Sequence, residues 1–420
     1  MKDLFPGHFK EVEHQLRDIW DTSLFVFDAN ILLNLYRYSD TTRQEFLRIL
    51  EKIKDRVWLS HRAAEEYLNN RLSVIDQQEK SYDDMTKAIE ILKRDLENAR
   101  QHPFVSQNIM TKVSSVFDEL CSELKENKSV HTARIYNDEI KDAVASIFKN
   151  RVGLPYERSR LEELMSEGEE RYMQKIPPGF KDGSKSGDSE VFTEKCRKYG
   201  DLIVWTQVID KAIESGKGVV LVTDDKKEDW WEKFKGKTIG PHPELVREFK
   251  DRANNTFYMY QADRFLELAR ENLGEQVSDE IVAEIREVRH LEKLAQKRQK
   301  EKEYVQGQKH ERRQFLREIE YGKHRLATYY EEQNKLQQRM HELESIQNGM
   351  YQHQDDLVRE EGYESAEFKH FMNRFIEISE EFALVRKKLE HSSSKFKETQ
   401  MHVFELEKEL ASRMKISEQE

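Results

Sequence analysis

The sequence predicts an α/β domain with a parallel sheet, followed by a long α-helical tail. Three observations predict it. Two short apolar runs, Leu24-Phe25-Val26-Phe27 and Gly218-Val219-Val220-Leu221-Val222, end in polar, acidic residues, and runs of this length read as buried parallel strands. Helical periodicity fills the chain between them, and strand, crossover, strand is the order of a parallel sheet. Beyond Pro243, the last proline, the chain is rich in Glu, Lys, Arg and Gln, all good helix formers.

The elements follow in order. After the first strand comes a helical stretch over residues 31–50, then a short strand, Val57-Trp58-Leu59-Ser60. Ser60 is suited to cap the helix that carries Glu65 and Glu66. Residues 67–175 keep a helical pattern, broken at His102-Pro103 and Gly153-Leu154-Pro155, and read as an insertion. An irregular basic loop over residues 177–188 precedes a helix over residues 201–213, and Ser215-Gly216 leads into the strand at 219–222. Thr256-Phe257-Tyr258-Met259-Tyr260 is the expected last strand, with residues 262–273 its closing helix. The domain is thus expected over residues 1–273 and the tail over 274–420. In the tail, apolar residues recur at steps of three and four: Val277, Ile281, Ile285, Val288, Leu291, then Leu336, Met340, Leu343, Ile346, Met350, then Phe368, Phe371, Phe375, Ile378, Phe382, Val385, Leu389. Such a seam with charged flanks predicts a coiled coil or long helical hairpin that reverses between Gly349 and Gly362. Homo-oligomerisation through these helices is expected, with a partner protein as the other occupant.

Composition bounds the function. Charged residues make up 36% and hydrophobic ones 37%, a thin supply of apolar side chains for one globule of 420 residues. The net charge of −11 argues against nucleic-acid binding over the whole surface and leaves room for a local basic groove. No apolar stretch approaches the roughly 20 residues of a membrane helix, and Met1-Lys2-Asp3-Leu4-Phe5-Pro6 does not read as a signal peptide. Two cysteines, Cys121 and Cys196, lie far apart without metal-ligand spacing, so a reducing cytoplasm is the expected location.

In open α/β sheets, ligands collect at the carboxyl ends of the strands, and the acids lie there. Asp28 follows the first strand and Thr223-Asp224-Asp225-Lys226-Lys227-Glu228-Asp229 a later one, while Glu65-Glu66 sits in one helix and Asp201 opens another. Converging carboxylates repel, and divalent cations relieve that cost most simply. Hard oxygen ligands with few histidines nearby favour Mg²⁺ or Mn²⁺ over Zn²⁺. Two such ions would hold the attacking and leaving oxygens of an in-line displacement. The expected metal ligands are Asp28, Glu66, Asp201, Asp224, Asp225 and Asp229, with Asp225 favoured over Asp224 and Asp229 in an outer role. The choices between Glu65 and Glu66 and between Asp224 and Asp225 stay open. Each acid also has a plainer role: a helix N-cap for Asp28 and Asp201, solvated helix surface for Glu66, a solvated turn for the acids after Thr223. Asn30, Arg71, Lys181, Lys185, Thr223 and Lys226 are the expected substrate contacts, the lysines of the basic loop forming a lip for phosphates. Arg71 equally suits a helix salt bridge, and Thr223 the orienting of a carboxylate. Together these features predict a metal-dependent phosphodiester hydrolase.

The same residues resemble the PIN-domain nucleases, and most of all the PIN-like branch found in larger bacterial proteins. The resemblance is carried by Phe25-Val26-Phe27-Asp28-Ala29-Asn30, by Glu66-Tyr67 with Asn70-Arg71, by Tyr199-Gly200-Asp201-Leu202-Ile203-Val204-Trp205, and by Val222-Thr223-Asp224-Asp225 through Asp229-Trp230-Trp231. It covers roughly residues 20–265. It implies a three-layer α/β/α sandwich that cleaves RNA, and sometimes DNA, with Mg²⁺ or Mn²⁺, in which Asp28, Glu66, Asp201 and Asp225 form the acidic catalytic quartet. Family members often act as toxins or in phage defence, and the resemblance implies such a role here. The long insertion and the tail depart from the family core.

Other classes fit less well. Haloacid-dehalogenase-type phosphatases place a second Asp two positions after the first, where this chain has Asn30. Toprim-type nucleases begin with a Glu, where this chain has Asp28. No Gly-rich run ends in Lys-Ser or Lys-Thr, so a Walker-type phosphate loop is absent. A catalytically inactive scaffold or sensor assembled through the tail, and a DNA-directed nuclease, are the remaining alternatives.

Overall fold

In a computed structural model, which describes residues 1, 4–9, 13–97, 106–183, 191–361 and 363–417, the apolar runs become strands. These are β1 (Leu24–Phe27), β2 (Val57–Trp58), β3 (Val219–Val222) and, beyond a hairpin of β4 (Trp231–Phe234) and β5 (Lys237–Pro241), β6 (Phe257–Tyr260). β2, β1, β3 and β6 pair in that order and all run parallel, with Phe27 level with Val222 and Val222 level with Tyr260. Successive side chains of a strand point to opposite faces. Phe25, Phe27, Val220 and Val222 enter one core, and Val26, Val219 and Leu221 enter another. Burial on both faces explains why these strands are apolar throughout rather than alternating.

The helices are α1 (Glu13–Thr22), α2 (Ala29–Asn34), α3 (Asp40–Lys52), α4 (His61–Glu97), α5 (Gln107–Ala133), α6 (Glu139–Ile147), α7 (Arg158–Met173), α8 (Phe192–Lys198), α9 (Gly200–Ser215), α10 (Pro243–Ala253) and α11 (Ala262–Leu273), followed by two long ones, α12 (Asp279–Glu361) and α13 (Ala366–Ser417). Residues of α2, α3 and α11 build the first core and residues of α9 and α10 the second. The expected three layers of helix, sheet and helix therefore form. The stretch expected as one helix over residues 31–50 is two, because Ser39 starts α3 afresh, its hydroxyl accepting from the Thr42 N–H at 3.3 Å. Ser60 caps α4 as expected, accepting from the Ala63 N–H at 3.2 Å. The β4–β5 hairpin and α10 have no counterpart among the sequence expectations. The hairpin turns on Lys235 and Gly236, both at positive φ, a two-residue turn without the usual Asn-Gly signature.

The insertion grows directly out of α4. α5 packs antiparallel to α4, with Lys93 paired to Asp118 at 2.6 Å and Lys128 to Asp83 at 2.7 Å. The chain then returns to the sheet, where Val152 bridges Leu59 beside β2. A buried polar knot fastens α6 to the domain: Asp138 accepts from the Tyr36 hydroxyl at 2.8 Å and from Arg71 Nη1 at 3.0 Å.

The chain divides into the units Met1–Lys293 and Leu294–Glu420, not at the expected residue 273. The first tail series explains the shift. Val277, Ile281, Val282 and Ile285 are buried in the first core, so the opening of α12 completes the sheet domain. In the second unit α12 and α13 pack antiparallel, with Leu343 against Ile378 and Val385 at one end and Ile319 against Val403 and Leu406 at the other. The tail is therefore a helical hairpin. It reverses between Glu361 and Ala366, while Gly349 lies inside α12 and Gly362 falls outside the described residues. A Cβ on Gly322 would collide with the Val403 side chain, so this glycine sets how closely the two helices approach. Among the described residues no helix is long and apolar enough to cross a membrane.

Candidate active site

From β1 the chain moves outward to β2, and from β3 it moves the other way to β6. Where the direction reverses, a crevice opens beyond the carboxyl ends of the two central strands. Asp28 stands at the end of β1, and Thr223, Asp224 and Asp225 stand at the end of β3.

Asp28 caps α2 and belongs to the acid cluster at once. One carboxylate oxygen accepts from the Ala29 N–H at 2.7 Å. The other accepts from the Thr223 hydroxyl at 2.7 Å and from Asn30 Nδ2. Asn30 also donates to Thr223 Oγ1 at 3.0 Å, and its carbonyl accepts from the Asp224 N–H at 3.1 Å. The Asp225 N–H donates to Thr223 Oγ1 at 3.1 Å. Thr223 thus orients a carboxylate, one of the two roles read for it, and with Asn30 it braces the two strand ends against each other. Burial, and then the charges of Glu66, Asp201 and Asp225, push the Asp28 carboxyl up to about 7 against the pull of the Thr223 hydrogen bond. The four acids of the expected quartet thus share one electrostatic field. Glu66 is the member of its pair that acts on Asp28, whereas Glu65 is held by Arg62 at 2.6 Å.

A lysine sits among the acids. Lys227 Nζ lies 2.8 Å from Asp182 Oδ2, 3.0 Å from Asp201 Oδ2 and 3.0 Å from Asp225 Oδ2. The ammonium donates to Asp182 and Asp201, and Asp225 completes the ring of negative charge as an ion pair. Burial opposes the charge on Lys227, but Asp201, Asp225 and Asp182 outweigh it and hold the ammonium above the usual lysine range. Asp201 itself rises to about 6: burial is the main cause, Lys227 opposes it, and Asp225 and Asp182 add to it. Trp230 Nε1 also donates to Asp201 at 3.3 Å.

Asp182 has no place among the sequence expectations. It lies in the loop read as basic, and no strand end announces it. Asp229 positions that loop. Its buried Oδ2 accepts from the Gly179 N–H at 3.0 Å and the Lys181 N–H at 3.1 Å. Gly179 has φ 93°, and a Cβ there would press on the Tyr172 hydroxyl and on Asp201. Only glycine lets the loop pass this close.

The remaining expected residues have these surroundings. Asp229, given an outer role, anchors the loop through Oδ2. Asp224 faces away from the cluster: its carboxylate accepts from Asn34 Nδ2 at 3.2 Å and the Ala262 N–H at 3.1 Å, and Arg289 lies 3.4 Å away. It fastens the end of β3 to α11 and to the start of α12, so Asp225 alone of the pair joins the cluster. Arg71 pairs with the buried Asp138 at 3.0 Å, an ion pair of the kind the sequence equally allowed. Lys181 pairs with Glu228 at 3.3 Å, and Lys226 is half-buried with its carbonyl accepting from Lys233. Lys185 lies outside the described residues. Asn34, fully buried beneath Asp224, was not legible as a site neighbour because its spacing is that of any inward-facing helix residue.

Among the described residues no group of three or more His, Cys, Asp or Glu side chains is arranged to hold one metal ion as it stands. The chemistry of the donors nevertheless fits a hard divalent cation. Asp28, Glu66, Asp201 and Asp225 offer only carboxylate oxygens, their shared field calls for positive charge, and a side-chain ammonium already answers that call.

Fold and site together define the class, an α/β/α sheet domain with an acid cluster at its topological switch point. Residues 24–245, more than half of the chain, match the family described as PIN like domain, and the chain belongs to that family. The match runs from β1 into α10 and so takes in Asp28, Glu66, Asp182, Asp201 and Asp225. Membership places the chain in a nuclease-type family. No curated protein matches it, and no solved structure does.

Proposed function

We propose that this chain is an endonuclease that hydrolyses phosphodiester bonds with Mg²⁺ or Mn²⁺ and acts on RNA in preference to DNA. The observation that carries the proposal is the common field of Asp28, Glu66, Asp201 and Asp225 at the switch point of a PIN-like domain. These four would hold the metal, which supplies Lewis-acid chemistry at the scissile phosphate when bound. The chain's own part is orientation: Thr223, Asn30 and the first N–H of α2 fix the Asp28 carboxylate before any substrate arrives. Lys181, Lys185 and Lys226 are the proposed phosphate contacts, with Lys181 exchanging its exposed ion pair with Glu228 for the phosphate. On a chain of net charge −11 their effect is local, so binding should weaken steeply as salt rises. The test is a cleavage assay of the purified full chain on mixed single-stranded RNA and DNA, in Mn²⁺ and in EDTA, with Asp28→Asn in parallel. RNA cut in Mn²⁺ by the wild type alone is the expected result. Intact RNA and DNA would overturn the proposal, and cleavage of DNA alone would overturn the substrate preference.

A toxin or phage-defence role is proposed on family membership. Unchanged growth and phage plating after induction would remove it. One observation favours a second reading, an inactive scaffold: Lys227 takes the central position between Asp182, Asp201 and Asp225. Self-association through the hairpin belongs to both readings, because Ile376, Leu384 and Phe404 of α13 stay exposed. Sedimentation at micromolar concentration should then show a dimer or larger species, and a monomer would refute it.

A further inference from the structure

Two of the four acids assigned to a metal, Asp201 and Asp225, already hold a cation, and that cation is part of the chain. Lys227 is bound to Asp225 at both ends: its N–H donates to Asp225 Oδ1 at 2.8 Å, and its Nζ lies 3.0 Å from Oδ2. The same Nζ meets Asp201 Oδ2 at 3.0 Å and Asp182 Oδ2 at 2.8 Å. An ammonium and a divalent ion that contact the same carboxylate oxygens need the same space and cancel the same negative charge. Either one on Asp201 Oδ2 and Asp225 Oδ2 excludes the other. We propose that Lys227 is the internal counter-ion of the acid cluster, held in the cation position of the metal-free protein and released when a divalent ion binds. The inference rests on the metal-dependent reading of the site and adds what balances its charge beforehand.

The surroundings suit an exchange. The lysine stem is flexible and its ammonium is a point charge with no fixed geometry, so the three carboxylates hold it by charge and distance alone. Two of the three would turn to the metal. The third, Asp182, lies outside the quartet on the loop anchored by Asp229 and is the most buried of the three, so it cannot carry the ammonium outward, and the released stem turns away from all three carboxylates towards solvent. A substrate phosphate is an anion and would favour the same release, drawing the ammonium from the carboxylates. Lys227 is on this account a positioning residue that keeps the empty cluster together and vacates it on loading.

The test uses the full-length protein and Mn²⁺ as the probe. Mild amine acetylation followed by peptide mass spectrometry reads the exposure of Lys227 Nζ, while titration calorimetry reads metal uptake. Lys227 should label at least about fivefold faster in saturating Mn²⁺ than in EDTA, because the ion displaces the population that buries it. Lys128, paired with Asp83 in the insertion, serves as the unchanging reference. Lys227→Met should bind Mn²⁺ about tenfold more tightly, since the site is no longer filled most of the time. Removal of a nearby positive charge would tighten binding as well, but it would not make labelling of the wild type depend on Mn²⁺. Uptake of Mn²⁺ with Lys227 still protected would overturn the exchange and leave the nuclease reading standing. Uptake by Lys227→Met alone would overturn the exchange in favour of a permanently filled, inactive cluster. No uptake by either protein would overturn both the exchange and the metal-dependent function.

Discussion

Asp28 is required to be an anion by the chemistry proposed for it and is opposed as an anion by its own neighbours. Its ordinary value of 3.8 rises to about 7 in the folded chain, chiefly through burial and Glu66. Between those two values the folded protein keeps a proton that the unfolded chain has lost. Stability of the metal-free protein therefore falls as pH rises from about 4 to about 7 and levels off above that. Asp201, raised to about 6, acts in the same direction. Asp28→Asn removes the larger part of this penalty, less what is lost when an amide replaces a carboxylate that accepts three hydrogen bonds. In EDTA the variant should gain on the wild type as pH rises, by on the order of 2 kcal/mol at pH 8. Urea denaturation at pH 5 and pH 8 checks this, and a difference that does not grow with pH would refute it. Asp28 and Asp201 stood out in the sequence because one directly follows an apolar run and the other opens an apolar helix, whereas Asp225, three residues past a run, was favoured over Asp224 with the choice left open. Asp182 did not stand out, since its place depends on a loop whose path is set by Asp229, 47 residues later.

At the scale of elements, Asp229 shows why an acidic turn need not be solvated. It is fully buried and accepts two backbone N–H groups from the loop that delivers Asp182. Asp229→Ala would leave both donors unmatched, at a cost of about 2–4 kcal/mol. Amide hydrogen exchange should quicken at Gly179 and Lys181, and unchanged protection at those two amides would contradict the anchoring role. The hairpin invites a second test. Leu343 is 1% exposed between Ile378 and Val385, so Leu343→Ala should cost the hairpin about 2–4 kcal/mol. Loss of helical signal at lower urea is the expected sign. Periodicity revealed the tail helices because charged flanks leave a clear seam. It did not reveal the break before α3 or the β4–β5 hairpin, where a serine cap and a Lys-Gly turn override the running pattern.

For the whole molecule, the boundary of the sheet domain is the testable matter. Val277, Ile281, Val282 and Ile285 fill the first core, and Glu284 accepts from Thr42 at 2.6 Å, so residues 274–293 belong to the domain. A protein ending at residue 293 should fold cooperatively and resist proteolysis. One ending at residue 273 should not, because truncation uncovers the apolar face of α3 and α11. Equal protease resistance of the two would return the boundary to residue 273. The seam at residues 277–291 has the same period as the tail series, and periodicity carries no information about which surface a stripe meets.

The four parallel strands β1, β2, β3 and β6, the acids near the strand ends and the helical character of the tail followed from the sequence alone, because each is written in neighbouring residues. Which acids face one another did not. That Asp224 turns outward while Asp225 turns inward, that Arg71 serves Asp138, and that Lys227 stands between Asp182, Asp201 and Asp225 are outcomes of packing. Charges separated by tens of residues interact only after the sheet and its insertion have brought them within a few ångströms, and that distance exists in the fold and nowhere in the chain.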